Sequence, residues 1–192
     1  KDGGWKCTAQ VIWQVVMLAA ARMISLFAAC RDLANAPSDE RVRQVLRNHL
    51  PKRPLTLEKR LEQALGGHLP PRLMRRAREI AIDYHLIPYH GQPHRSAREL
   101  YHSQPKSGTT KFHCYATACI VEGGFRYTVA ATFVWGKEST IKVLTRLLDR
   151  IAERKMPLKM LLLDRQICDS AVIAFLQARE IPFLMPLMMR GR

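Results

Sequence analysis

The stretch MLLLDRQICDSAVIAFLQ, residues 160–177, runs three consecutive leucines straight into an aspartate and an arginine. An amphipathic helical pattern resumes within a few residues. With the preceding Pro-Leu-Lys, the run over 157–163 is apolar almost throughout, as in a strand buried on both faces of a parallel sheet. Two readings of Asp164 follow. Either the chain leaves the core there and the carboxylate caps the next turn or pairs with Arg165, or a carboxylate is set at the rim of a sheet to do chemistry.

Working outward, ESTIKVLTRLLDRIAERK (138–155) places Ile141, Leu144, Leu147, Leu148 and Ile151 on one side of a helix. Before it, KFHCYATACIVEGGFRYTVAATFVW (111–135) gives two β runs joined at Gly123 and Gly124, a hairpin signal. EIAIDYHLIPY (79–89) is a further strand, closed by Pro88, and the stretch from there to the hairpin is polar and rich in Gly and Pro. A helix over about 169–179 and a short strand in IPFLMPL (181–187) complete the segment. The order is strand, hairpin, helix, strand, helix, strand, which matches the ribonuclease-H-like fold: a mixed α/β sheet of three antiparallel strands, with parallel strands joined by crossover helices. A right-handed crossover through the helix at 138–155 then brings the fourth strand beside the first. Asp83 lies in that first strand between Ile82 and Tyr84, and Asp164 ends the fourth. Two carboxylates on neighbouring strands suit a shared divalent cation, which takes carboxylate oxygens, water and substrate phosphate as ligands.

The charge balance points to a polyanion as partner. Thirty-one Lys and Arg against sixteen Asp and Glu leave 192 residues with a net charge of +15, and each phosphate neutralised releases condensed counterions. Part of the basic excess lies in the front third. Residues 7–31 contain no Gly or Pro and predict one long helix; Ser38 caps a second, bearing Arg41, Arg43 and Arg47; Thr56 caps a third, ended by Gly66 and Gly67. These helices resemble a helix-turn-helix type of domain or else form a helical cap on the core. HLPPRLMRRA (68–77) reads as a linker, so the expected division is a helical DNA-binding or accessory domain over 1–70 and a ribonuclease-H-like core over 78–192. Expected DNA contacts are Arg41, Arg43, Arg47, Lys52, Arg53, Lys106, Lys111 and Arg165.

Five cysteines with no C-x-x-C pair predict reduced thiols rather than a disulfide framework. The histidines at 85, 90, 94, 102 and 113 lack the spacing of a zinc finger or a metalloprotease helix, and no Gly-rich phosphate loop is present. Residues 11–29 have the length of a bilayer span, but Gln14 and Arg22 interrupt them, which favours a buried helix and no membrane partner. The chain starts without methionine and stops at MMRGR, as a fragment trimmed at both ends would.

Three segments, IAIDYHLIPYHG (80–91), KSGTTKFHCYATACIV (106–121) and LLLDRQICDSAVIAFLQAREIPFLMPLMMRGR (161–192), resemble the catalytic core of DDE transposases from bacterial and archaeal insertion sequences. The front segment MLAAARMISLFAACRDLANAPSDERVRQVLRNHL (17–50) is similar to their helical N-terminal region. The resemblance makes Asp83 the first metal-binding acid and Asp164 the second, with Mg²⁺ or Mn²⁺ as cofactor. It implies metal-dependent DNA cleavage and strand transfer at transposon ends, a homodimer in the DNA complex, and a cytoplasmic, nucleoid-associated location. The family's third acid is a glutamate on a helix well downstream. No position before Arg192 matches it, so the chain as given is expected to be truncated and a poor catalyst by itself. Family members carry glycine and an aromatic residue after the Asp-Arg pair, where this chain has Gln166, Ile167 and Cys168. A non-catalytic DNA-binding remnant and a host nuclease of the same fold are the alternatives.

Overall fold

The computed structural model describes residues 7–67, 69–93 and 96–187. By its contacts the chain divides into two units, Lys1–Arg53 and Pro54–Arg192.

The first unit holds α1 (Ala9–Arg22), α2 (Leu26–Asp32) and α3 (Asp39–His49). Each begins at a hydroxyl cap: Thr8, Ser25 and Ser38 accept from the backbone N–H three residues on. Ile12, Val15, Ala29 and Val42 form its small core. The single helix expected over 7–31 is broken. Met23 takes a left-handed conformation at φ 54°, its N–H reaches back to Ala20 and Ala19, and the two helices meet at 112°. Ser25 then starts the next helix, a capping preference that outweighs the apolar continuity of the sequence. Among the described residues no single helix is long and apolar enough to cross a membrane; α1 and α2 pass such a test only as a bent pair.

The second unit contains α4 (Pro54–Gly67), β1 (Arg78–Pro88), β2 (Tyr101–Lys106), β3 (Thr109–Glu122), β4 (Phe125–Val134), α5 (Thr140–Glu153), β5 (Leu158–Leu163), α6 (Ser170–Ala178) and β6 (Phe183–Leu184). Leaving β2 aside, the strands lie in the order β4-β3-β1-β5-β6, with β1 antiparallel to β3 and parallel to β5. This is the ribonuclease-H-like arrangement. β2 is an addition: a strand in the stretch read from sequence as polar loop, pairing with the start of β3. Apart from Tyr101 its residues show no apolar alternation, and Pro105 sits within it, which is tolerable only at a sheet edge.

The core lies on one face of the sheet. Ile80 and Ile82 of β1, Ala116, Ala118 and Ile120 of β3, and Leu161 and Leu163 of β5 pack with Val143, Leu144, Leu147 and Ile151 of α5. The period of two in β1 and β3 meets the helical stripe of α5, so sequence pattern alone assigns this interface.

α4 belongs by its contacts to this second unit, although the sequence reading grouped residues up to 70 with the helices before them. It starts at Pro54 rather than after Thr56, as proline suits a first turn whose N–H groups are unpaired in any case. What attaches it is charge. Glu58 accepts from the N–H of Phe133 at 2.7 Å, and Glu62 from the N–H of Ala131 at 2.7 Å. Arg150 and Arg146 of α5 donate to the carbonyls of Ala131 and Phe133. Arg150 also pairs with Glu58 at 2.7 Å and Arg154 with Glu62 at 2.8 Å. Side chains thus stand in for a neighbouring strand along the outer edge of β4.

Removing one member of such a buried set leaves its partner charges uncompensated. Glu58→Ala should lower the stability of the second unit by about 3 kcal/mol in urea unfolding. Glu40→Ala, which breaks the exposed Arg47 pair at 3.6 Å, should change stability by less than about 0.5 kcal/mol.

Candidate active site

The register between β1 and β5 sets Ile82 beside Leu163. Asp83 and Asp164 are the residues that follow this pair, Asp83 within β1 and Asp164 just past the end of β5. Ile82 and Leu163 are both in the core, so the alternation of side chains along a strand turns the following residues toward the opposite face. Asp83 is half-buried and Asp164 exposed. The expected crossover is therefore present: α5 connects β4 to β5 and delivers β5 alongside β1, so the strands that carry or precede the two aspartates, 81 positions apart in the chain (164 − 83), are neighbours.

Each carboxylate is oriented by its own backbone. Asp83 Oδ1 accepts from the N–H of Tyr84 at 2.8 Å, and Asp164 Oδ1 from the N–H of Arg165 at 2.6 Å. The second bond caps the 3₁₀ turn of Arg165–Ile167, so Asp164 does serve as a local cap. One oxygen of each is engaged in this way, leaving Oδ2 of each as a further donor atom. Ile167, in place of the expected aromatic residue, is 1% exposed and part of the core. The turn after Asp164 is thus anchored by an aliphatic side chain.

Other polar residues share the Asp83 face. Thr117 of β3 pairs with Asp83 across the ladder. His85, two residues further along β1, shares a hydrogen bond with Thr117 Oγ1 at 2.8 Å. Sequence reasoning left Thr117 aside and weighed His85 only among histidines without zinc spacing; only the period of two in both strands, combined with the register, puts them on the Asp83 face. Cys114, on the other face, is fully buried.

The residues present fit a hard divalent cation in part. Two carboxylates supply oxygen ligands of the kind Mg²⁺ takes, with its other positions left for water and phosphate. Among the described residues no group of three or more His, Cys, Asp or Glu gathers there or elsewhere to hold a metal ion.

The expected DNA contacts are spread over both units. Arg41, Arg43 and Arg47 are exposed on α3; Arg43 is paired with Asp39 at 3.0 Å and Arg41 bonds Gln44. Lys52 and Arg53 follow α3. Lys106 and Lys111 lie on the β2–β3 hairpin, and Arg165 is exposed next to Asp164. Arg165 alone among these cations adjoins one of the two aspartates, Asp164, in sequence.

Burial shifts groups behind the site. It pushes the Cys114 thiol from 9.0 to about 12, and the Tyr84 hydroxyl from 10.0 to about 12 against a smaller opposing effect of Thr140. In the unfolded chain both ionise earlier. Between about pH 9 and 12 the unfolded state has therefore released protons that the folded state keeps, and stability falls as pH rises through that window. Thermal melts should hold steady up to about pH 8.5 and then decline, and Cys114→Ala should make the decline shallower.

Comparison with known proteins places this geometry in context. Residues 75–191 match the family model described as the transposase DDE domain. No curated protein matches the chain. Among solved structures, the Drosophila P element transposase in its strand transfer complex is similar over 94% of this chain and 38% of its own, at 11% identity and a TM-score of 0.51. The piggyBac transposase in a synaptic complex with hairpin DNA is similar over 95% of this chain and 41% of its own, at 9% identity and a TM-score of 0.49. The chain thus spans less than half the length of either, and the likeness to the P element transposase, at 11% identity, is one of fold.

Proposed function

The chain belongs to the DDE-domain transposases, and from that premise we propose that it is the part of a DNA transposase that carries the first two catalytic acids, Asp83 and Asp164. The observation that supports this reading is the register of β1 against β5, which pairs Ile82 with Leu163, the residues just before the two aspartates. The reaction class is phosphoryl transfer: cleavage at the ends of a mobile element and joining of the freed 3′-hydroxyl to target DNA.

In this proposal Asp83 and Asp164 are the protein ligands of Mg²⁺ or Mn²⁺. A divalent ion held there supplies Lewis acidity to an in-line displacement at phosphorus. The protein's part is position. Tyr84 and Arg165 fix one oxygen of each carboxylate through their N–H groups. The buried Ile82 and Leu163 before them hold the middle of β1 against the end of β5. The proximity of two negative charges, unfavourable alone, becomes the basis of cation affinity. Arg165 offers a guanidinium to the phosphate backbone beside Asp164, and the exposed arginines of α3 add duplex contacts. The partner is double-stranded DNA, held by a homodimer of an insertion-sequence protein acting on the bacterial or archaeal nucleoid in the cytoplasm.

Two measurements test this. Titration with Mn²⁺, followed by its paramagnetic effect on water relaxation, should show binding that Asp83→Asn or Asp164→Asn weakens by more than about a hundredfold. Equal Mn²⁺ affinity in the wild type and both variants would remove the proposed site. Affinity for duplex DNA, followed by anisotropy, should fall steeply as salt is raised, as +15 implies, and should survive either substitution largely intact. A flat salt response would remove the DNA partner.

A further inference from the structure

A second site is suggested by the far end of β4. Trp135 and Gly136 follow that strand, and the next residues lead into α5. Against this connection lies the short 3₁₀ turn of Ala97–Glu99. The two segments are locked together by backbone: the N–H of Gly136 donates to the carbonyl of Arg98 at 2.7 Å. Only glycine fits there, since a Cβ would stand 2.3 Å from the carbonyl oxygen of Leu100. Between them is a cavity of about 610 Å³.

Its lining is cationic. Arg98 comes from one wall, and Lys137 and Lys142 from the other, with the indole of Trp135 and the hydroxyl of Ser139 alongside. Arg98, Lys137 and Lys142 are all exposed, and among the described residues none of them forms an ion pair within 4.0 Å. Ser139 occupies the N-cap of α5 without spending its side chain on a cap bond. The one acid present, Glu138, is already engaged: Arg146 holds it at 2.5 and 3.0 Å and the N–H of Trp135 at 3.2 Å. Burial alone would raise its pKa, but those bonds hold it below the usual carboxylate range, so it stays ionised and bound to Arg146. Three cations and a hydroxyl therefore face the cavity with little anionic charge of the protein's own to answer them.

The position is as informative as the charge. β3 is antiparallel to both β1 and β4, so β4 runs in the same direction as β1 and β5. The ends of β4 and β5, where Trp135 and Asp164 lie, are at the same end of the sheet. β4 is two strands from β1, roughly 10 Å across the sheet, and its Val134 is level with Leu86, three residues or about 10 Å along β1 from Asp83. A DNA strand with one phosphate at Asp83 and Asp164 has backbone within reach of this cavity.

We infer that the cavity between the Ala97–Glu99 turn and the start of α5 is a binding pocket for DNA backbone phosphate, with Arg98, Lys137 and Lys142 as its cations and Ser139 as a neutral donor. This deepens the transposase reading and rests on it. The pocket positions the strand beyond the reacting phosphate and takes no part in bond breaking. Its contacts are of the kind that hold register without reading sequence.

The test is duplex DNA binding by the whole chain, followed by anisotropy across a salt series. The variant Arg98→Gln/Lys142→Gln is compared with Arg126→Gln/Lys155→Gln, which removes the same charge elsewhere on the second unit. The pocket variant should bind roughly tenfold more weakly near 0.1 M salt, with a log–log salt slope shallower by about 2, and the control should move much less. In the wild type, DNA should protect Lys137 and Lys142 from acetylation read by mass spectrometry. Equal losses in both variants, or unprotected Lys137 and Lys142, would overturn the pocket while leaving the transposase reading intact. A wild-type chain with no salt-dependent DNA binding would overturn both.

Discussion

The parallel pairing of β1 with β5 is the constraint on which the rest of the second unit turns. β1 is the strand at which the sheet changes sense, antiparallel toward β3 and parallel toward β5. A parallel neighbour requires a crossover, and α5 supplies it, so the stripe of Val143, Leu144, Leu147 and Ile151 must lie across the sheet. That packing buries one face of β1 and leaves Asp83 on the other. The same pairing aligns the end of β5 with the middle of β1. Chemistry and core are therefore two faces of one arrangement: Ile82 and Leu163 are buried because Asp83 and Asp164 face the other way.

Setting two carboxylates side by side opposes folding unless their charge is answered. Both are in contact with solvent, which limits the repulsion, and each accepts a backbone N–H, which disperses part of its charge. This differs from the handling of acids elsewhere in the unit. Glu58, buried, and Glu62, partly buried, are matched by arginines, and Glu138 is clasped by Arg146. The acids that hold the fold are matched by arginines, whereas Asp83, midway along β1, and Asp164, just past β5, are held by backbone N–H groups.

How legible was this in the sequence? The strand order, the crossover and the adjacency of Asp83 and Asp164 followed from local signals: alternation, a Gly-Gly turn, and an apolar run ending in an acid. These are short-range patterns whose outcome the sheet's handedness then narrows to one topology. What escaped depends on contacts distant in the chain. β2 was missed because an edge strand needs no apolar alternation. The break at Met23 was missed because a non-glycine residue adopts a left-handed conformation there. Thr117 and the Arg98 cavity could be seen only after register and backbone packing were known. The attachment of α4 rests on ion pairs spanning 92 positions, and no pattern within a helix announces which distant arginine will meet its glutamates.

The glutamates of α4 also bear on the order in which the chain is made. An edge strand emerging from a ribosome offers bare N–H and C=O groups to any extended chain nearby. Here Glu58 and Glu62 are synthesised about seventy residues before the β4 amides they accept, at Phe133 and Ala131, and Arg146 and Arg150 follow within twenty. The acceptors are waiting when the edge appears, and the donors arrive soon after. Residues 54–67 thus act as a built-in chaperone for β4. A polypeptide begun at residue 78, where the sequence reading starts the core, would be born with that edge uncovered and prone to pair with its own kind.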